Sequence, residues 1–376
     1  MASGRIGVTG TTGLIGRHLL DHVLAQGKDV IAIDLRARGT SLEDAVASCN
    51  TVVHLAGVNR GDERALERTN IDLATKLRES ARGASVRVVY ASTTREREDT
   101  PYGRGKLGAR MVLEEGARAG DIAALRTMVI PNVFGAHGRP FHNSVVATFC
   151  HQLTHGATPE VIIDATLPLV YVNPLVRQLT ALAGAPWTGA AEVQVPAPYS
   201  ATVTGILAVL QSFHHAYYET RVVPSFRDAF ERDLWATFMT FMEDADHLWH
   251  PQVHADPRGS LFELVRGGPA GQVFMSTSRP GVLRGNHYHT RKLERFCVVR
   301  GTATIRLRRI DRSEITEFSV SGEDIAIVEI PIFHTHNIEN IGPSELLTLF
   351  WANEVFDAED PDTFALDVAA PPRNPQ

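Results

Sequence analysis

The sequence predicts an α/β domain built on a doubly wound parallel sheet, followed by a smaller all-β domain. Three observations carry this. An apolar strand, a glycine turn and a helical pattern follow one another at the N-terminus, and strands then alternate with helical stretches, as a parallel sheet requires. From about residue 250 the chain changes to short, evenly spaced strands punctuated by glycine, the pattern of a double-sheet barrel. At 376 residues the chain exceeds the ~250–300 at which one core stops growing. Two domains are therefore expected, over 1–245 and 246–368, with 369–376 as a disordered tail ending Pro371-Pro372-Arg373-Asn374-Pro375-Gln376.

Composition excludes several classes. Hydrophobic residues make up 44% and charged residues 21%, the balance of an ordinary globular protein. With 37 basic against 43 acidic side chains there is no electrostatic footprint for nucleic acid. No apolar run approaches the ~20 residues of a membrane span. Met1-Ala2-Ser3-Gly4-Arg5 leads straight into a strand without room for a signal peptide. Cys49, Cys150 and Cys297 are odd in number and far apart, so reduced thiols and a cytoplasmic location are expected.

Arg5-Ile6-Gly7-Val8-Thr9 is the first strand, and Gly10-Thr11-Thr12-Gly13-Leu14-Ile15-Gly16 turns it into a helix. Glycines in this context let the backbone approach a pyrophosphate, whose charge sits at the helix N-terminus. The spacing is Gly-x-x-Gly-x-x-Gly, which alone is a weak signal. A second strand, Val30 to Ile33, ends in Asp34 about twenty residues on, the position that meets an adenosine ribose. A third, Thr51 to His54, ends in Leu55, Ala56 and Gly57. Together these predict a Rossmann-type domain. Gly10, Gly13, Leu14, Ile15 and Gly16 are cofactor-binding candidates, as are Asp34, Arg36, Leu55 and Ala56. Asp34 favours NAD, whereas Arg36 or Arg38 suits the 2′-phosphate of NADPH.

The chemistry follows the next strand. Val86-Arg87-Val88-Val89-Tyr90 runs into Ala91-Ser92-Thr93-Thr94, and Tyr102-Gly103-Arg104-Gly105-Lys106 comes shortly after. Residues four apart share a helix face, so Lys106 can stand beside Tyr102. A free phenol, with a pKa near ~10, is a poor acid–base group at neutral pH, and neighbouring positive charge brings it into range. Tyr-x-x-x-Lys is common by chance, but after a hydroxyl-bearing strand and a glycine turn it is specific. Here the sequence resembles the extended short-chain dehydrogenase/reductase family, whose nucleotide-sugar members carry these features at these relative positions. The resemblance implies Tyr102 as acid/base, Lys106 as its partner (both also touching the cofactor), and Thr93 or Ser92 as the substrate-holding hydroxyl. Asn70 and Pro131-Asn132-Val133-Phe134-Gly135 match landmarks of that family. Leu169-Val170-Tyr171-Val172-Asn173-Pro174 departs from its usual Tyr-Val-Asp-Asp. Asn143 and Ser144 lie where such enzymes receive the sugar nucleotide, although a loop-capping role is open. His214, His215, Tyr217 and Tyr218 read as helix packing.

The C-terminal part carries Gly281, His287-Tyr288-His289, Glu294, Gly301 and, after Pro331, His336 and Asn340. Histidines two apart on a strand leave the same face. Imidazoles with one carboxylate suit zinc, nickel, iron or manganese, and zinc is the expected ion at His287, His289, Glu294 and His336. This pattern resembles the two motifs of the cupin (double-stranded β-helix) family, except that Pro331-Ile332-Phe333 lacks the usual glycine. Gly281-Val282-Leu283-Arg284-Gly285-Asn286-His287-Tyr288 and Asp256 to Glu263 also resemble the metal-free deoxysugar 3,5-epimerases, in which the histidine is the base. His287 cannot be both a metal ligand and a free base. With the metal reading, the base falls to His334, Tyr288 or Glu329.

The combination resembles bifunctional enzymes of bacterial capsule and O-antigen synthesis that make a UDP-N-acetyl-6-deoxy-L-talosamine sugar. His54-Leu55-Ala56-Gly57-Val58-Asn59-Arg60, Asn143 to Cys150, Gly285 to His289 and Thr335 to Asn340 carry the likeness. It implies a UDP-linked 4-keto-6-deoxy amino sugar as substrate, contacts to it from Asn59, NADPH (with NAD open) and a homodimer. The cupin would epimerise carbon 3, and the first domain would reduce carbon 4. The alternative is a 4-keto sugar reductase whose cupin is a non-catalytic binding or dimerisation module.

Overall fold

A computed structural model describes residues 4–36, 40–257, 259–267 and 271–370. Arg38, Arg258 and the final six residues lie outside the described residues. The chain divides into two compact units, Met1–Thr148 with Ile162–Val203, and Phe149–Val161 with Thr204–Gln376.

The first unit opens with β1 (Ile6–Thr9), α1 (Leu14–Ala25), β2 (Val30–Ile33), α2 (Thr40–Ala47), β3 (Thr51–His54) and α3 (Glu63–Ala81). It continues with β4 (Arg87–Thr93), α4 (Pro101–Ala119), β5 (Ala124–Ile130), β6 (Asn132–Phe134) and the start of α5 (Val145–Thr154). After the excursion of α5 into the second unit come β7 (Thr166–Tyr171), α6 (Val172–Gly184), β8 (Gly189–Gln194) and β9 (Tyr199–Thr202). Six strands form a parallel sheet in the order β2-β1-β3-β4-β5-β8. Such sheets are covered on both faces, and so their strands are apolar throughout. β1 and β3 read Ile-Gly-Val-Thr and Thr-Val-Val-His with every residue buried. Ile33, Val52, Val88 and Leu125 from the sheet join Val46, Leu77 and Leu113 from α2, α3 and α4 in one core. The order reverses beside β1, leaving a crevice at the carboxyl ends of β1 and β3 where dinucleotides bind in such sheets. A smaller sheet, β6-β7-β9, completes the unit.

The second unit begins with α7 (Val203–His214), a π-turn over His215–Glu219, β10 (Val222–Val223) and α8 (Ala229–Met239). Phe213, Tyr217 and Phe238 pack their rings around Trp235, so Tyr217 is core, as helix packing predicts. Short strands follow: β11 (Leu248–Trp249), β12 (His254–Asp256), β13 (Gly259–Leu261), β14 (Arg266–Gly267) and β15 (Gln272–Ser278). The remainder is β16 (Leu283–Tyr288), β17 (Glu294–Arg300), β18 (Thr302–Arg309), β19 (Thr316–Ser321), β20 (Ile327–Ile330), β21 (His334–Asn340), β22 (Leu346–Ala352) and β23 (Phe364–Ala365). Two antiparallel five-stranded sheets result, β11-β20-β17-β22-β15 and β19-β18-β21-β16-β23. Phe296, Val328, Ile330 and Phe350 from one sheet pack on Ala303, Ile305, Leu307 and Ile338 from the other. This face-to-face core is the cupin-like architecture.

The described cysteines are free and buried. Among the described residues, no helix is long and apolar enough to cross a membrane.

Candidate active site and metal cluster

The crevice of the first unit is shaped by backbone proximity. A Cβ on Gly16 would lie 2.2 Å from the Gly10 carbonyl oxygen, so only glycine lets α1 start this close to the β1 turn. Gly13 caps α1 without any side-chain hydrogen bond, which leaves the first N–H groups of the helix for an anion. The Thr9 hydroxyl accepts from the Leu55 and Ala56 amides at 3.2 and 3.1 Å and lies 2.8 Å from His54 Nδ1. Asn70 fixes the next residues, accepting from the Val58 amide and donating to the Val58 and Leu66 carbonyls. At the end of β2, the Asp34 carboxylate accepts from the Arg36 amide at 2.9 Å, which holds its pKa below the usual range. These residues fit a nicotinamide dinucleotide: a turn for the pyrophosphate, an acid for the ribose and small residues at the strand ends.

Tyr102 and Lys106 lie in the first two turns of α4, whose N-cap, Thr100, accepts from the Gly103 amide. The Lys106 ammonium is buried, donates to the Ala91 carbonyl at 2.5 Å and sits 4.5 Å above the Tyr90 ring. Burial pushes its pKa down to about 8, against the opposing charge of Glu96. Burial raises the Tyr102 phenol, while the Arg95 charge and a hydrogen bond with Thr93 act the other way. Strand alternation separates the two hydroxyl candidates. Thr93 meets Tyr102, whereas Ser92 donates to the Glu96 carboxylate, itself paired with Arg110 at 2.6 Å. Glu96 carries no motif signal in the sequence, yet it is 3% exposed.

Asn143 donates through its side chain to the Asn59 carbonyl, so two substrate candidates are brought together. Asn143 stands at φ 56°. Ser144 precedes α5, and its hydroxyl accepts from the Ala147 amide at 3.3 Å, an N-cap contact.

In the second unit, His287, His289, Glu294 and His336 converge, with one potential ligand atom from each lying within 4.8 Å of the others. β16 and β21 pair with His287 opposite His336, while Glu294 opens β17 in the facing sheet. Gly285, at φ 106°, makes this possible: a Cβ there would lie 2.6 Å from the His336 carbonyl oxygen. The Nε2 atoms of His289 and His336 lie 3.1 and 3.4 Å from Glu294 Oε2. Their Nδ1 atoms lie 2.6 Å from the Asp362 carbonyl oxygen and 3.2 Å from that of His334. Backbone carbonyls thus engage the outer nitrogens and leave Nε2 facing inward. Burial pushes His287 down to about 4, with His336 and His289 adding to the effect. Burial raises Glu294, but the hydrogen bonds from His289 and His336 outweigh it and hold the carboxyl well below the usual range. Three imidazoles and a carboxylate in one cluster, all buried but the half-buried His287, form a donor set that fits a divalent cation.

The base candidates separate. His334 shares the β21 face of His336, its ring 5.6 Å from that of His247. Alternation turns Tyr288 away from His287, and its ring packs on Phe364 and Phe333. Glu329 corrects an expectation: it is fully buried in an ion pair with Arg295 at 2.8 Å and accepts from Trp249 Nε1, so it is not a free base. The missing glycine is explained by Phe333, which itself adopts φ 57° and donates its amide to the His289 carbonyl at 2.7 Å.

A glycine-turn crevice beside a hydroxyl–Tyr–Lys set defines a nicotinamide-dependent α/β domain, and the chain belongs to the NAD dependent epimerase/dehydratase family, whose profile matches residues 6–194. The profile of the polysaccharide biosynthesis C-terminal domain matches 254–364. The chain is 32% identical over 367 residues to the UDP-2-acetamido-2,6-beta-L-arabino-hexul-4-ose reductase of Pseudomonas aeruginosa, covering 96% of this chain and 98% of that one. It is also 32% identical to the capsular polysaccharide assembling protein CapF of Staphylococcus aureus, with a TM-score of 0.61 over 96% of this chain and 100% of that structure. The UDP-glucose 4-epimerase of Thermotoga maritima shares the fold at 19% identity and a TM-score of 0.53, over 63% of this chain and 98% of its own.

Proposed function

We propose that the protein is a bifunctional sugar-nucleotide enzyme that epimerises carbon 3 of a UDP-2-acetamido-2,6-dideoxy-4-hexulose and then reduces carbon 4. The product is UDP-N-acetyl-6-deoxy-L-talosamine. The observation that carries this is the pairing, in one chain, of Tyr102 hydrogen-bonded to Thr93, one helical turn before the buried Lys106, with a largely buried His287–His289–Glu294–His336 cluster. Near full-length similarity to a UDP-hexulose reductase supports the substrate class.

The ketone at carbon 4 acidifies the hydrogen at carbon 3, so a base can remove it and an acid can return it to the other face. His334, on the face of His336, is the assigned base; Tyr288 is turned away. His287, His289, Glu294 and His336 would hold a divalent cation, zinc by the donor set, which would supply Lewis acidity at the substrate carbonyl. In the first unit, the Gly10–Gly16 turn and Asp34 would hold a nicotinamide cofactor, NADPH in this reading, which would supply a hydride for carbon 4. Thr93 holds the substrate oxygen and Tyr102 protonates it, with Lys106, one helical turn on, as its proposed partner. Asn59 and Asn143, joined by a hydrogen bond, are the proposed contacts to the sugar nucleotide, and reduction removes the acidifying ketone and so fixes the new centre. Two copies of the chain form the working dimer in this reading.

The test is NADPH oxidation with a UDP-4-keto-6-deoxy-N-acetylhexosamine. Tyr102→Phe is expected to lower kcat by about 10²–10⁴-fold and Thr93→Val by about 10²-fold, whereas Ser92→Ala keeps kcat within a few-fold. Full NADPH oxidation by Tyr102→Phe would refute the reductase assignment.

A further inference from the structure

We infer that Asp362 is a positioning residue of the histidine cluster, and that the C-terminal strap carrying it sets the geometry with which that cluster takes a metal ion. The inference rests on the reading of the cluster as a divalent-cation site.

Nothing in the sequence marks Asp362: it follows Pro361 close to the end of the chain and matches no motif. In the structure it is 3% exposed and adopts φ 44°, a left-handed conformation rare outside glycine. Its carboxylate accepts from the backbone amides of Thr290, Arg291 and Lys292 at 2.9–3.2 Å and from the Thr290 hydroxyl at 2.6 Å. These donors form the loop joining His289 to Glu294, the two cluster members closest in sequence. The backbone carbonyl of Asp362 takes the Nδ1 proton of His289. One residue therefore fixes the loop through its side chain and the ring through its main chain. An imidazole whose Nδ1–H is donated presents Nε2 as the lone-pair ligand, and it can turn only as far as that bond allows.

The strap continues this control. Immediately after Asp362, β23 pairs with β16, setting Ala365 opposite His287 and Phe364 opposite Tyr288. The Leu366 amide donates to the Asn286 carbonyl, the Thr335 hydroxyl donates to the Leu366 carbonyl, and the buried Arg308 donates to the Val368 carbonyl at 2.7 Å. Residues 362–368 thus touch the neighbours of His287, His289 and His336, three ligands on two strands and a loop. Elsewhere the strap makes exposed ion pairs, as Arg291 does with Asp360.

The test uses the full-length protein stripped of metal. Zinc affinity is measured by competition with a chromogenic chelator, and coordination geometry by the visible spectrum of the cobalt-substituted protein. Asp362→Asn is expected to weaken zinc binding about 10–100-fold and to alter the cobalt spectrum. Glu354→Gln, which breaks only the Arg291–Glu354 pair, should leave both unchanged. A purely structural role would lower the melting temperature of the metal-free protein without moving the cobalt spectrum. Wild-type affinity and spectrum in Asp362→Asn, with binding lost in His336→Ala, would overturn the inference while leaving the cation reading intact. Failure of the wild-type protein to take up either metal would overturn both. Should Asp362→Asn not fold, Thr290→Val removes one of the four donors and is expected to shift affinity the same way, an unchanged affinity again overturning the inference.

Discussion

His54 and His247 are imidazoles buried to 1% exposure, and burial pushes each down to about 3. The Lys106 charge deepens the shift at His54, and His334 does so at His247, where Asp244 opposes it. At His54 the geometry agrees: Thr9 accepts two amides, so its own proton goes to Nδ1, which must be unprotonated. The folded value lies below the unfolded one, so the unfolded chain binds the extra proton between pH 6.5 and about 3, and stability falls as pH drops through that window. Each imidazole costs about 1.4 kcal/mol per pH unit there. Urea unfolding between pH 6.5 and 4.5 should therefore show a shallower pH slope in His54→Gln than in the wild type; an unchanged slope would contradict this. At this scale the sequence was legible where spacing brings residues together, as at the four cluster residues. It was silent on Glu96 and Asp362, whose burial depends on long-range packing that no local pattern encodes.

Strand β17 carries two charges in succession that face opposite ways. Glu294 turns to the histidines, and Arg295 turns to Glu329 on β20 with both side chains at 0% exposure. Trp249, Trp351 and Tyr217 surround the guanidinium within 6.0 Å, and its other nitrogens donate to the carbonyls of Leu264 and Arg221. Removing one partner leaves an uncompensated buried charge, so Glu329→Ala should cost about 3–5 kcal/mol. Arg295→Met with Glu329→Leu should recover much of that loss, since burying apolar groups instead is often neutral. A loss under about 1 kcal/mol in Glu329→Ala, read from urea midpoints, would show that the pair is not pinning β17. Alternation and glycine punctuation made the barrel strands readable, but not which faces hold charge. The left-handed turn at Phe333 was equally hidden, because a bulky residue in that conformation is held there by the hydrogen bond its amide donates to the His289 carbonyl and not by its own preference.

Across the whole molecule, a parallel α/β unit and a two-sheet β unit each carry a candidate site assembled from their own elements. The change of hydrophobic period along the chain points to two units, but not to their bounds: residues 149–161 and 204–245, expected in the first domain, fall in the second unit, and no composition shift marks either. The central claim is that the β unit labilises carbon 3 and the α/β unit reduces carbon 4. The most direct measurement is deuterium incorporation into a UDP-4-keto-6-deoxy-N-acetylhexosamine in heavy water, read by mass spectrometry and NMR. The account predicts exchange at carbon 3 without NADPH in both the wild-type protein and Tyr102→Phe, its loss in His334→Gln and in His287→Ala with His336→Ala, and trapping of one deuterium in the reduced product when NADPH is added to the wild type. Undiminished exchange in the histidine variants, or reduction by the wild type without exchange at carbon 3, would contradict it.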